Sequence, residues 1–217
     1  LKNEKNLNNH FGVPLTLFNL NKEHECAVIE MGMSGFNEIK YLVDIVNPKI
    51  AVISNIGLSH VEKLGSQEGI LKAKMEITSN FDETNTLIVN GDDKFLSTLK
   101  EKEHVYKLKT FGFNKNNDVY CESYTMEEDS LTFICVINGK KEEIFIPTIG
   151  EHNIYNAMSA ILVGLCLNIS LDYIKKGLKN FKGTKMRLDI IKNEKLTIIN
   201  DSYNASPDSM DAALKIL

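Results

Sequence analysis

Apolar positions along the chain change their spacing several times, and each change marks an element. Short apolar runs at Leu15 to Phe18, Ala27 to Ile29, Ile50 to Ile53 and Leu87 to Val89 have the length and flanks of strands. Between them, Phe36 to Val46 sets Ile39, Leu42, Val43 and Val46 at helical spacing. Gln67 to Phe81 does the same with Ile70, Ala73, Lys74, Ile77 and Phe81, so Lys74 points along a buried stripe. Strands and helices alternating in this way predict a parallel sheet covered by helices. From about Tyr106 to Ile146 the pattern turns to strands separated by polar turns, Asn116-Asn117-Asp118 and Asn138-Gly139. That stretch predicts a small antiparallel sheet with a hairpin at Asn138-Gly139. Helical spacing returns at Asn153 to Leu167 and Leu171 to Phe181, followed by a hairpin around Asn193-Glu194 and a helix from about Pro207. The expected fold is α/β: a mostly parallel sheet flanked by helices, a small antiparallel sheet, and the start of a second α/β domain. With a boundary near Gly183, the domains would run 1–184 and 185–217.

Composition narrows the function. The 217 residues suffice for one large domain, or one and part of another, and 43% hydrophobic with 25% charged residues is ordinary globular usage. No run approaches the roughly 20 apolar residues of a membrane span, so no membrane insertion is expected. A net charge of −4 without a basic stripe argues against nucleic acid, while a small anionic ligand stays open, since local amides and metals hold such ligands. Cys26, Cys121, Cys135 and Cys166 are widely spaced, form no C-x-x-C pair and read as reduced core residues. With no signal peptide at the start, a reducing cytoplasm fits best. The opening without Met and the stop at Leu217 within an amphipathic pattern read as truncation.

In open parallel sheets ligands bind beyond the carboxyl ends of strands, which directs attention to two places. Ala27-Val28-Ile29 ends in Glu30-Met31-Gly32, and Ala51-Val52-Ile53 in Ser54-Asn55-Ile56-Gly57, leading to His60. Glu30 and His60 could share a divalent cation, with the carboxylate favouring Mg²⁺ over Zn²⁺, or could merely cap or stand exposed. Lys74 either snorkels to solvent or, buried and neutral, reacts with carbon dioxide to give an anionic carbamate ligand. Asn153 and Asn156, three apart at a helix start, share a face and offer paired amides to a base, although helix capping would explain one of them. Arg187 and Asp201, expected on the strands after Gly183, could reach an anion and a ribose hydroxyl or form surface pairs. G-x-x-x-x-G-K-[ST], G-x-S-x-G and H-E-x-x-H are all absent from the 217 residues.

These pieces, in order and spacing, resemble the Mur ligase family. The resemblance rests on Asn8-Asn9 with Gly12-Val13-Pro14-Leu15-Thr16-Leu17, Glu30-Met31-Gly32, and Ser54-Asn55-Ile56-Gly57 with His60. Lys72-Ala73-Lys74-Met75-Glu76-Ile77, Asn90-Gly91-Asp92-Asp93 and Gly150-Glu151-His152-Asn153-Ile154-Tyr155-Asn156-Ala157 continue it. The stretch from Asn200-Asp201-Ser202-Tyr203-Asn204 to Met210 resembles the member that adds D-alanyl-D-alanine to UDP-N-acetylmuramoyl-tripeptide in peptidoglycan synthesis.

The resemblance implies an ATP-dependent amide ligase in which ATP phosphorylates the tripeptide carboxylate and the dipeptide amine attacks the acyl phosphate. It implies Mg²⁺ held by Glu30 and His60, and a carbamylated Lys74 supporting a second metal. Asn153 and Asn156 would contact adenine, Arg187 and Asp201 would reach the nucleotide, and Asn9 would lie close to the phosphates and the sugar substrate. A bacterial cytoplasmic monomer is implied. Gly91 stands where the family more often has Ala, a change expected to matter little in a turn. The phosphate loop, the N-terminal domain and most of the C-terminal domain would lie outside these residues, so the chain alone is expected to be inactive. A folylpolyglutamate or cyanophycin-type ligase of the same superfamily, or a non-catalytic Mur-like binding module, are the alternatives.

Overall fold

The computed structural model describes residues 1–184 and 186–216. Lys185 and Leu217, the ends of the expected second domain, lie outside the described residues. The chain forms two compact units: Leu1–Ala51 with Ser59–Leu87 and Glu103–Lys107, and Val52–Leu58 with Ile88–Lys102 and Leu108–Leu217.

In the first unit the predicted strand at Leu15 to Phe18 lies instead in and just past a helix, α1 (Gly12–Leu17). Local capping decides this: Asn9 Oδ1 accepts the Phe11 and Gly12 N–H groups at 3.1 and 2.9 Å, and Pro14 sits in the first turn, where its missing N–H is no loss. Helix α2 (Glu38–Val46) buries Ile39, Leu42 and Val43, the expected i, i+3, i+4 face. After α3 (Val61–Leu64), α4 (Gln67–Met75) is capped by Ser66, whose Oγ accepts the Gly69 N–H at 3.2 Å. The predicted helix to Phe81 stops at Met75 and tightens into a 3₁₀ turn, Glu76–Thr78, where Thr78 Oγ1 donates to the Met75 carbonyl.

Ala27 to Ile29 is extended but forms no ladder. It makes a single parallel bridge, Lys2 to Val28, and Val28 is 65% exposed. For the same reason Cys26, expected in the core, is exposed.

Strands β1 (Ile50–Ile53), β2 (Thr86–Asn90), β3 (Lys107–Gly112), β4 (Val119–Met126), β5 (Leu131–Ile137) and β6 (Lys140–Ile146) are neighbours in chain order. The Thr86 N–H donates to the Lys49 carbonyl and the Lys107 N–H to the Asn85 carbonyl, so β1, β2 and β3 start side by side and run parallel. β3 and β4 are parallel; β4, β5 and β6 are antiparallel. The expected small antiparallel sheet is therefore no separate sheet but the continuation of the parallel one. The hairpin is as expected: Asn138 (φ 50°) and Gly139 (φ 76°) make the left-handed pair of a type I′ turn.

In the second unit α5 (Glu151–Cys166) lays Ile154, Ala157, Met158, Ile161 and Leu162 on β4 and β5, where Phe133 is 1% exposed. Each large apolar side chain so buried contributes about 1.5–3 kcal/mol. α6 (Leu171–Lys179) packs on α5 and β6. Cys121 and Cys135 face each other across β4 and β5, and burial pushes their thiols up to about 11 and about 12, which keeps both protonated. The chain ends in the expected hairpin, β7 (Asp189–Lys192) and β8 (Thr197–Asn200), and in α7 (Pro207–Leu214) with a Ser206/Ser209 capping box and Pro207 in its first turn. No helix among the described residues is long and apolar enough to cross a membrane.

Candidate functional site

Four of the sequence-predicted residues lie in the first unit. Glu30 is held by its backbone: Asn3 Oδ1 accepts its N–H at 2.7 Å, and Asn3 Nδ2 reaches its carbonyl at 3.4 Å. Its carboxylate is exposed, with Oε1 accepting from Asn8 Nδ2 at 2.9 Å. The Asn8 carbonyl in turn accepts the Gly32 N–H at 2.7 Å, so residues 8–9 and 30–32 are stitched together. Asn9, besides capping α1, lines a cleft of about 340 Å³ with His10, Gly32, Phe36, Asn37 and Tyr41. His60 is exposed and left-handed (φ 67°), and its carbonyl accepts the Lys63 and Leu64 N–H groups at the start of α3. Lys74, in the last turn of α4, is half-buried beside the buried Ile70 and Ala73, and its side of the helix is the one expected. Among the described residues no group of three or more His, Cys, Asp or Glu is gathered as a metal cage.

The second unit holds the other four. Asn153 Nδ2 donates to the Ile149 carbonyl at 2.7 Å, and Asn153 Oδ1 accepts from Asn156 Nδ2 at 3.1 Å. The pair thus shares a face and is pre-oriented. Neither residue is the N-cap, a place taken by Gly150 at φ 94°, so capping does not explain them. Arg187 and Asp201 flank the β7–β8 hairpin rather than lying on its strands, at the end where Asp189 pairs with Asn200. Asp201 Oδ1 accepts the Leu188 N–H at 3.1 Å, and the Arg187 guanidinium lies 4.4 Å from the centre of the Tyr203 ring. His152 keeps solvent contact, yet partial loss of solvation holds its imidazole below its ordinary pKa, with Asp201 and Glu151 pulling it back up.

Sequence reasoning gave no role to Asn90-Gly91-Asp92-Asp93, and the structure shows it to be a hub. Asp92 accepts from the Phe113 and Asn114 N–H groups, from Asn117 Nδ2 and from the Tyr155 hydroxyl on α5. Desolvation, and then the Asp92 charge, holds the Tyr155 phenol well above its usual range. Asp93 Oδ2 accepts the Ile56 N–H at 2.8 Å, while its Oδ1 takes the Phe95 and Leu96 N–H groups. The turn after β1 is thereby tied to the turn after β2. Gly91 matters more than expected, because a Cβ there would meet Asn117 Oδ1 at 1.9 Å and Lys100 Nζ at 2.7 Å. The signal available was the run of carboxylates after a strand, but their partners lie far along the chain.

A family model of the Mur ligase middle domain matches residues 1–164. The UDP-N-acetylmuramoyl-tripeptide--D-alanyl-D-alanine ligase of Bacillus subtilis is 43% identical over 212 residues, covering 97% of this chain and 45% of the relative. Among solved structures, MurF from Acinetobacter baumannii superposes with a TM-score of 0.94 at 36% identity, over 100% of this chain and 48% of that one. The MurF ligase of Thermotoga maritima in complex with ADP gives 0.89 at 25% identity, over 100% and 50%. The apo form of L. casei FPGS, at 18% identity and 0.70 over 89% of this chain and 48% of that one, shares the fold alone. The chain spans about half the length of the curated relatives it matches. With the family model matched over residues 1–164 and a relative 43% identical across 97% of its length, the chain belongs to the Mur ligase family.

Proposed function

We propose that these residues serve an ATP-dependent ligase that joins D-alanyl-D-alanine to UDP-N-acetylmuramoyl-tripeptide, in the cytoplasm of a bacterium. The observation that carries the reading is the 43% identity, running through 97% of the chain, to a ligase of that name. The reaction has two steps. The tripeptide carboxylate attacks the γ-phosphorus of ATP, giving an acyl phosphate and ADP; the dipeptide amine then attacks the acyl carbon, loses its proton and expels phosphate.

The proposed roles are those the family resemblance implies, and the placement of each side chain is compatible with them. Asn153 and Asn156 present a fixed amide pair suited to the edge of an adenine. Arg187 and Asp201, beside the hairpin, suit a phosphate and a ribose hydroxyl. Asn9, on its cleft, is assigned to the phosphate and sugar end of the ligands. Glu30 and His60 fit Mg²⁺: they are exposed, one offers a carboxylate, and Mg²⁺ keeps several waters and takes few protein ligands beside substrate phosphates. When bound, the ion would offset repulsion between triphosphate and carboxylate. Lys74, as a carbamate formed from its neutral amine and carbon dioxide, would add an anionic oxygen for a second ion. A domain boundary after Thr184 is part of the same proposal, beside the left-handed Gly183 (φ 69°).

The test is phosphate release by the full-length protein with ATP, Mg²⁺, UDP-N-acetylmuramoyl-tripeptide and a panel of amino acceptors. Release that depends on D-alanyl-D-alanine, and that Lys74→Ala abolishes, is the expected result. Turnover only with glutamate on a folate would replace the reading with the folylpolyglutamate one, and no turnover with any muramoyl-peptide would end it.

A further inference from the structure

Glu76 is the first residue past α4, and its carboxylate reaches another helix. Oε1 accepts the Asn37 N–H at 2.7 Å, and Oε2 accepts the Lys40 N–H at 3.2 Å. Both amides belong to the start of α2, which has no side-chain cap of its own because its N-cap, Asn37, is left-handed at φ 67°. Glu76 thus satisfies two orphan donors and sets a carboxylate at the positive end of the helix dipole. Four residues on, Asn80 Nδ2 donates to Asp44 Oδ1 at 3.1 Å, so one short segment is tied to α2 at two points.

The two ties differ in what they hold. Asn80 and Asp44 join two exposed side chains. Glu76 grips backbone, and it does so directly after the turn in which its own N–H closes onto the Ala73 and Lys74 carbonyls. From the same turn of α4 the Lys72 ammonium lies 5.6 Å from the centre of the Phe36 ring, a second contact to the approach of α2. Glu76 therefore fixes how the last turn of α4 is rotated against α2, and Lys74 is carried by that turn.

We infer that Glu76 is a positioning residue for Lys74, acting by locking the C-terminal turn of α4 to the N-terminal turn of α2. The inference rests on the role proposed for Lys74 above. Glu76→Gln would turn an NH₂ group toward one of the two N–H donors and release the turn, and displacing a reacting group by about 1 Å can cost about a hundredfold in rate.

The experiment sets Lys74→Ala, Glu76→Gln and Asn80→Ala side by side in the full-length protein. It reads kcat, KM for ATP, melting temperature, and amide exchange at Asn37 and Lys40. The expected result is a kcat lowered about ten- to hundredfold by Glu76→Gln with KM for ATP within about twofold, and Asn80→Ala within about twofold of wild type in both. Faster exchange at the Asn37 and Lys40 amides accompanies the loss. A Glu76→Gln enzyme with wild-type kcat while Lys74→Ala is dead overturns the inference and leaves the Lys74 role standing. A Lys74→Ala enzyme with wild-type kcat overturns both. Should Glu76→Gln fail to fold, Glu76→Asp decides: it keeps the charge but draws it back by one methylene, so a lowered kcat at an unchanged melting temperature supports the inference and a wild-type kcat overturns it.

Discussion

The two regions that carry the candidate residues hold them by opposite means. In the second unit, Asn153, Asn156 and Tyr155 stand on a helix of about four and a half turns whose first turns are tied by hydrogen bonds to Ile149 and Asp92. In the first unit, Glu30 and His60 stand exposed on loops, fixed through their backbones with most of the side chain left open. The difference matches what each is proposed to grip. A base is recognised by rigid, directed amides, and pre-organising them lowers the cost of binding. A Mg²⁺ ion arrives with its phosphates and waters and completes its own shell, so the protein supplies few ligands and no closed cage.

Three measurements would break or sharpen this contrast. The largest effect belongs to the exposed region: Glu30→Ala is expected to lower ligation by the full-length protein about a hundredfold or more while leaving the urea midpoint of unfolding unchanged. A fall in that midpoint would mean that Glu30 is structural after all. Next comes Gly91→Ala in the packed region, where the new methyl group collides with Asn117 Oδ1; a loss of about 1–3 kcal/mol in urea unfolding is expected. Combining it with Asn117→Ala should cost less than the sum of the two single changes, because the second removes the atom struck by the first.

The smallest effect is a pH dependence. Partial loss of solvation favours the neutral His152 imidazole, so its pKa in the folded chain lies below the ordinary 6.5 and the unfolded chain takes up the proton first as pH falls. Its contribution is present above about pH 6.5 and is lost as pH drops through the folded value. Urea unfolding of wild type and His152→Gln should therefore differ most above about pH 6.5 and converge as pH falls below it.

What could be read in the chain beforehand was whatever neighbouring residues decide. The buried face of α2, strands β1 and β2, the Asn138-Gly139 turn and the helix start at Pro207 each depend on a few consecutive side chains. The i, i+3 spacing of Asn153 and Asn156 likewise placed them on one face, where they hydrogen-bond to each other. Misreadings came where distant or competing contacts decide. Leu15 to Phe18 has strand-like composition, but Asn9 caps a helix across it. Ala27 to Ile29 has the residues of a strand but only one bridge to pair with. The role of Asp92 depends on Phe113, Asn117 and Tyr155, which are 21, 25 and 63 residues away, and that of Glu76 on Asn37, 39 residues back. No local pattern announces such partners.

The close approach of Gly91 to Asn117 also constrains how this sequence can drift. Alanine at 91 is tolerable only after the carboxamide at 117 has gone or moved, whereas loss of that carboxamide can come first without a clash. The two positions therefore behave as one inherited character with a preferred order of change. Descendants of this chain should show alanine at 91 only together with a shorter or displaced side chain at 117.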